Sequence, residues 1–164
     1  METIKQLIAA LREELQQYGE MLARLDEQQD CVLRRAADDL LRTVDEVQNQ
    51  GVVLAEHRRA REQQQQATAL QLGLAADAPL KDIIPLLPDV YRPLVHALMQ
   101  ENNDLLVRVQ QRARQNHLLL TRSMELMQNL LGSLVPANNG AAYGQNGNAY
   151  ARPVGGRALY EAVG

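Results

Sequence analysis

The residues of this chain that could do chemistry are three histidines, one cysteine and a few adjacent carboxylates. His57, His96 and His117 stand 39 and 21 residues apart. None has a second His or a Cys beside it at metal-ligand spacing, so neither a metal site nor an acid–base pair is indicated. Cys31 has Arg34 and Arg35 one turn on, which would favour a thiolate, but no His lies near it in sequence and it reads as an inert thiol. The carboxylate pairs Glu13 with Glu14, Asp38 with Asp39 and Asp45 with Glu46 are sequence neighbours, which point in different directions on a helix, and are expected at the surface. The basic stretch HRRAR at residues 57–61 is followed at once by Glu62 and reads as a solvated helix face. Gly140 and Gly144 form G-x-x-x-G outside any apolar helix and after no strand, so neither a membrane dimer motif nor a phosphate loop is supported. The expectation is a protein that is not an enzyme, needs no cofactor or metal, and works by binding.

Composition narrows what it could bind. The chain has 164 residues with no Phe, no Trp and five Tyr. Its core must therefore be built from Leu, Ile, Val, Ala and Met, which suits helix packing better than a sheet sandwich. Seventeen basic against twenty acidic residues give a formal charge of −3. The two signs are interspersed, which argues against nucleic acid as a main partner. A single cysteine cannot form an intramolecular disulfide, and METIKQLIAALREEL lacks the charged-then-apolar pattern of a secretory signal. No apolar run approaches the roughly 20 residues that span a bilayer. These features predict a cytoplasmic protein.

The elements that would position binding residues are long helices. Thr3 with Gln6 has the pattern of a capping box, and Ile4, Ile8, Leu11, Leu15, Tyr18, Leu22 and Leu25 follow in steps of three and four. The stripe continues more weakly through Val32, Ala36, Leu40, Val44 and Val47, which predicts a first helix over residues 3–50. Gly51 is its first point of weakness. Residues 52–72 form a second helix that either continues the first or folds back beside it, with the run of four Gln at residues 63–66 exposed or loosely packed. Gly73 is a stop signal. Residues 74–90 carry Pro79, Pro85 and Pro88 among Leu80, Ile83, Ile84, Leu86 and Leu87, a turn region with at most one short helix, tucked in by its apolar side chains. A last helix is predicted over residues 89–132, with Pro93 in its first turn. It is expected to lie antiparallel to the first.

The last helix has a broad apolar face made of two heptad rows, Leu98, Leu105, Arg112, Leu119, Leu126 and Met99, Leu106, Ala113, Leu120, Met127, Leu134. Beside them runs Asn102, Val109, Asn116, Ser123, Leu130. Polar side chains at such positions fix register by bonding to a neighbouring helix or are kept for a partner. Toward the end, Ser123 is followed by Met124, Leu126, Met127, Leu130, Leu131 and Leu134, covering more than one face. That helix end is either buried in an oligomer or waiting for a ligand helix. From Pro136 the composition changes: residues 136–164 hold three of the five Tyr and six of the ten Gly, a flexible tail rather than a helix.

The run N-D-L-L at residues 103–106, N-H-L-L-L at residues 116–120 followed by Ser123, Leu126 and Leu130, and the loose tail with Y-G-Q-N-G at residues 143–147 resemble the FlgN family of flagellar type III export chaperones. The likeness extends weakly to Glu20, Leu25, Leu33, Leu40 and Leu41. The resemblance implies a cytoplasmic chaperone of hook-associated (hook-filament junction) proteins that prevents their premature assembly and delivers them to the export apparatus. It implies a client site on the last helix, at Ser123, Leu126, Met127, Leu130, Leu131 and Leu134, and a contact of Tyr143 with Gly144 to a membrane protein of the export gate. Tyr150 and Tyr160 also lie in the tail, so the choice of Tyr143 rests on the Y-G-x-x-G match alone. The expected fold is all-α: a long antiparallel helical hairpin or bundle over residues 1–135 with a Gly/Asn/Tyr-rich tail over residues 136–164. The alternative reading is a structural coiled-coil protein whose apolar helix end is an obligate homo-oligomer interface.

Overall fold

A computed structural model describes residues 1–134. Its elements are α1 (Glu2–Arg34), α2 (Ala37–Gln71), a short α3 (Leu80–Ile83) running into one 3-10 turn (Ile84–Leu86), and α4 (Arg92–Leu134). There is no strand among the described residues. The chain divides into two units, Met1–Leu119 and Leu120–Gly164. The first is an all-α bundle.

The first helix ends sixteen residues before the expected point at residue 50, since α1 stops at Arg34. Arg35 adopts a left-handed conformation at φ 55°. Its N–H donates to the Val32 carbonyl, and the next N–H, of Ala36, donates to the Cys31 carbonyl. These two bonds close the helix as a Schellman motif, a role glycine usually fills. Gly51, the expected break, sits inside α2. Thr3 likewise lies within α1 rather than capping it, the N-cap being Met1.

Side-chain bonds fix the directions of the helices. Gln50 Nε2 donates to Gln17 Oε1 at 2.8 Å, Arg61 Nε to Glu14 Oε2 at 2.8 Å and Arg42 Nη2 to Glu27 Oε1 at 2.9 Å. Position rises along α2 as it falls along α1, so α2 folds back antiparallel. For α4 the expectation of an antiparallel pair with α1 is overturned. Asn102 Nδ2 donates to the Leu11 carbonyl at 3.1 Å and Asn116 Nδ2 to the Leu25 carbonyl at 2.7 Å, both 91 residues apart. A constant offset means parallel helices. The reason is topological: the chain reverses twice, at Arg35 and through residues 72–91, so the third long helix returns to the direction of the first.

Two apolar clusters fill the bundle. The larger joins Ile4, Leu7, Ile8 and Leu11 of α1 to Val95 and Leu98 of α4, with Ala69, Ala78, Ile83, Ile84 and Leu87 closing that end. The Pro-rich segment is thus tucked in as expected. Gly73 takes φ 77° just after α2, a backbone that favours glycine. Gln65 Nε2 holds the Ala78 carbonyl at 2.9 Å, so one member of the glutamine run ties this segment down, while Gln63 and Gln66 are exposed as expected. The smaller cluster comprises Tyr18, Met21, Leu25, Val47 and Val109. Described by itself, the second unit contributes the helical residues up to Leu134, two beyond the expected stop at Gly132.

Candidate functional site

The candidate client residues all lie on the last part of α4. Ser123 is exposed, and Leu126, Met127, Leu130, Leu131 and Leu134, with Met124, are between 61% and 74% exposed. At about 100° per residue these side chains fall within an arc of about 160°, wider than the apolar stripe of an ordinary surface helix. Arg122, Glu125, Gln128, Asn129 and Ser133 occupy the remainder. The sequence pattern, apolar on more than one face, resolves into this single broad arc with Ser123 inside it. Tyr143 and Gly144, the candidate gate residues, lie outside the described residues, as do Tyr150, Tyr160 and the boundary at residue 135.

Such an arc could do simple chemistry. Each large apolar side chain that moves from water into a contact contributes about 1.5 to 3 kcal/mol, against ordering costs that leave only part of the sum. Methionine adapts to differently shaped neighbours.

Val95, Asn102, Val109 and Asn116 are all buried, and Ser123 and Leu130 follow them in the same heptad row. Up to Asn116, the row flagged for its polar members is therefore the innermost row of α4. Asn102 and Asn116 use their amide groups to bond across to α1, as the register-fixing reading expected. Asn102 also donates to Leu98 O at 2.9 Å, and Asn116 to Gln28 Oε1 at 3.0 Å. Arg112, counted on the apolar face, turns to the edge and pairs with Asp26 at 2.8 Å and with Gln29.

Two expectations about charge are corrected. Glu14, expected at the surface, is 2% exposed. Arg61, expected on a solvated face, reaches inward to meet it at 2.8 Å. Tyr18 Oη donates to Glu14 Oε1 at 3.2 Å and Arg61 Nη1 to Gln65 Oε1 at 2.9 Å. Burial, and then the negative charge of Glu14, push the Tyr18 phenol up to about 12. For Arg61 burial pulls the other way, but the hydrogen bond and charge of Glu14 outweigh it and hold the guanidinium above its ordinary value. The signal was present in the sequence: Glu14 falls between Leu11 and Tyr18 on the α1 stripe, three residues after one and four before the other. On the surface, Arg42 is held above its ordinary range by hydrogen bonds to Glu27 and Glu46.

His57 lies on α2, and His96 and His117 are exposed on α4. Cys31 is buried. No group of three or more His, Cys, Asp or Glu among the described residues could hold a metal ion. A shallow groove of about 490 Å³ on α1 is lined by Gln16, Gly19, Glu20, Ala23, Arg24 and Glu27, without a hydroxyl, a thiol or an imidazole. Among the described residues, no helix is long and apolar enough to cross a membrane.

No curated protein and no solved structure matches the chain significantly. The family model described as FlgN protein matches residues 1–151, which takes in the whole bundle, the apolar helix end and Y-G-Q-N-G. The chain belongs to the FlgN family, the chaperones of flagellar type III export.

Proposed function

We propose that this chaperone acts in the cytoplasm on hook-filament junction proteins, holding a terminal helix of the client against Ser123, Leu126, Met127, Leu130, Leu131 and Leu134. The observation that carries the reading is the exposed apolar arc at the end of α4. An arc of that width left in water invites an amphipathic helix, laid in through its i, i+3, i+4 and i+7 side chains. A client so covered cannot assemble prematurely. Tyr143 with Gly144 then contacts a membrane protein of the export gate from a separate segment, so the second partner is engaged without breaking the first contact.

Co-expression with a hook-filament junction protein tests the client. A stable complex recovered with the intact chain is expected, and none with Leu126→Asp/Leu130→Asp. Sedimentation of the purified chain alone tests the competing use of the same arc: a tight homo-oligomer dissociated by the same double substitution would replace the client reading. For the tail, Tyr143→Ala should leave folding and client binding intact while export of the client falls. Loss of client binding in that variant would instead put Tyr143 in the client site.

A further inference from the structure

We propose that the apolar arc at the end of α4 receives two helices of one client molecule, laid side by side. The inference rests on the reading of the chain as a client-binding chaperone, and names the form in which the client meets that site.

The width of the face changes along α4. Within Met1–Leu119, α4 meets the bundle with three heptad rows, those of Leu98, Met99 and Asn102. Val95, Leu98, Met99, Leu105, Leu106 and Val109 from these rows enter apolar clusters that draw on both α1 and α2. At about 100° per residue, three such rows span about 100° of the helix surface. The next row round, beside that of Met99, is His96, Asn103, Gln110 and His117. All four are polar, Gln110 being half-buried and the others exposed. Against two neighbouring helices, α4 therefore uses three rows and keeps the fourth polar.

In residues 120–134 the same three rows continue in sequence as Leu126, as Met127 with Leu134, and as Ser123 with Leu130. The fourth row now turns apolar, at Met124 and Leu131, and both are exposed. Four rows account for the arc of about 160°. One partner helix makes a seam of two rows, as in a coiled coil, and leaves the other two in water. A second copy of this chain paired about a two-fold axis meets the same limit, because it sets one helix against one. Leu126 and Leu131 stand about 140° apart around α4, too far for one helix to cover both. Two client helices packed on each other and on α4 reach both edges. They repeat the kind of three-helix contact that α4 makes with α1 and α2, and their own apolar seam stays out of water while they are held.

Titration calorimetry of a hook-filament junction protein into the intact chain, into Leu126→Asp and into Leu131→Asp tests the proposal, together with hydrogen exchange of the bound client followed by mass spectrometry. Each single substitution should lower affinity at least tenfold with the unfolding midpoint unchanged, since both side chains are exposed. Two separate client segments, each of a helix's length, should gain protection in the complex. Weakening at one edge only overturns the pair and leaves the chaperone reading standing. A single protected client segment does the same, whether the complex holds one copy of this chain or two. A client that binds both variants with undiminished affinity overturns the pair and the arc as client site together, and a folded chain that binds no client overturns the chaperone reading as well.

Discussion

Glu14 and Arg61 carry opposite charges into the interior between the two apolar clusters, and each is tolerable only because of the other. Replacing Glu14 by Ala leaves the guanidinium with its burial and without its partner. The expected loss is about 2 to 4 kcal/mol in urea unfolding, somewhat below the value for a fully buried pair because Arg61 keeps some solvent contact. The double variant Glu14→Leu/Arg61→Met should recover most of that loss. Tyr18 supplies a pH signature. Its phenol titrates near 12 in the folded protein against 10 in the unfolded chain, so the folded state holds the proton longer. The resulting stability is fully present below pH 10 and is lost as pH rises through about 12, a change on the order of 2 to 3 kcal/mol. Tyr18→Phe should therefore unfold with a flatter pH dependence between pH 10 and 12 than the parent chain; parallel curves would contradict this. At this scale the sequence was legible in type and not in placement. Apolar stripe members such as Ile4, Leu11 and Leu25 are read from spacing alone, but a charge on that stripe is read as surface until its partner, 47 positions away, is known.

Helices hold when their ends and weak points agree with the backbone they must adopt. The turn between α1 and α2 places an arginine where glycine is favoured, at a cost of roughly 1 kcal/mol for left-handed backbone. Arg35→Gly should accordingly raise stability by up to about 1 kcal/mol, read as a higher unfolding midpoint. Gly51 is the converse case, a glycine inside a helix with room for a methyl group. Gly51→Ala should stabilise by about 0.5 to 1 kcal/mol, and a loss would show that the contact with Met21 is tighter than 3.9 Å. These two residues explain why element boundaries were read only in part. The end of α2 just before Gly73 and the turn of α4 around Pro93 were legible because glycine and proline announce themselves. The break at Arg35 was not, since residues 20–50 contain neither, and the helical spacing runs across it without interruption. The direction of α4 followed from that miss, because one uncounted reversal changes antiparallel to parallel.

For the whole molecule, the family match over residues 1–151 and the bundle define a flagellar export chaperone, and the account places its clients on the exposed end of α4. The all-α class and the apolar character of residues 123–134 were readable from composition and heptad spacing. The partition of the core into two clusters was not, because it depends on which residues of α2 face inward, and most of those are polar. Titration calorimetry of a hook-filament junction protein into the intact chain and into Leu126→Asp/Leu130→Asp tests the central claim most directly. The account predicts a one-site isotherm for the parent and affinity lower by a hundredfold or more for the variant, with circular dichroism and unfolding midpoint unchanged, since both side chains are already exposed. Undiminished affinity in a folded variant would contradict it.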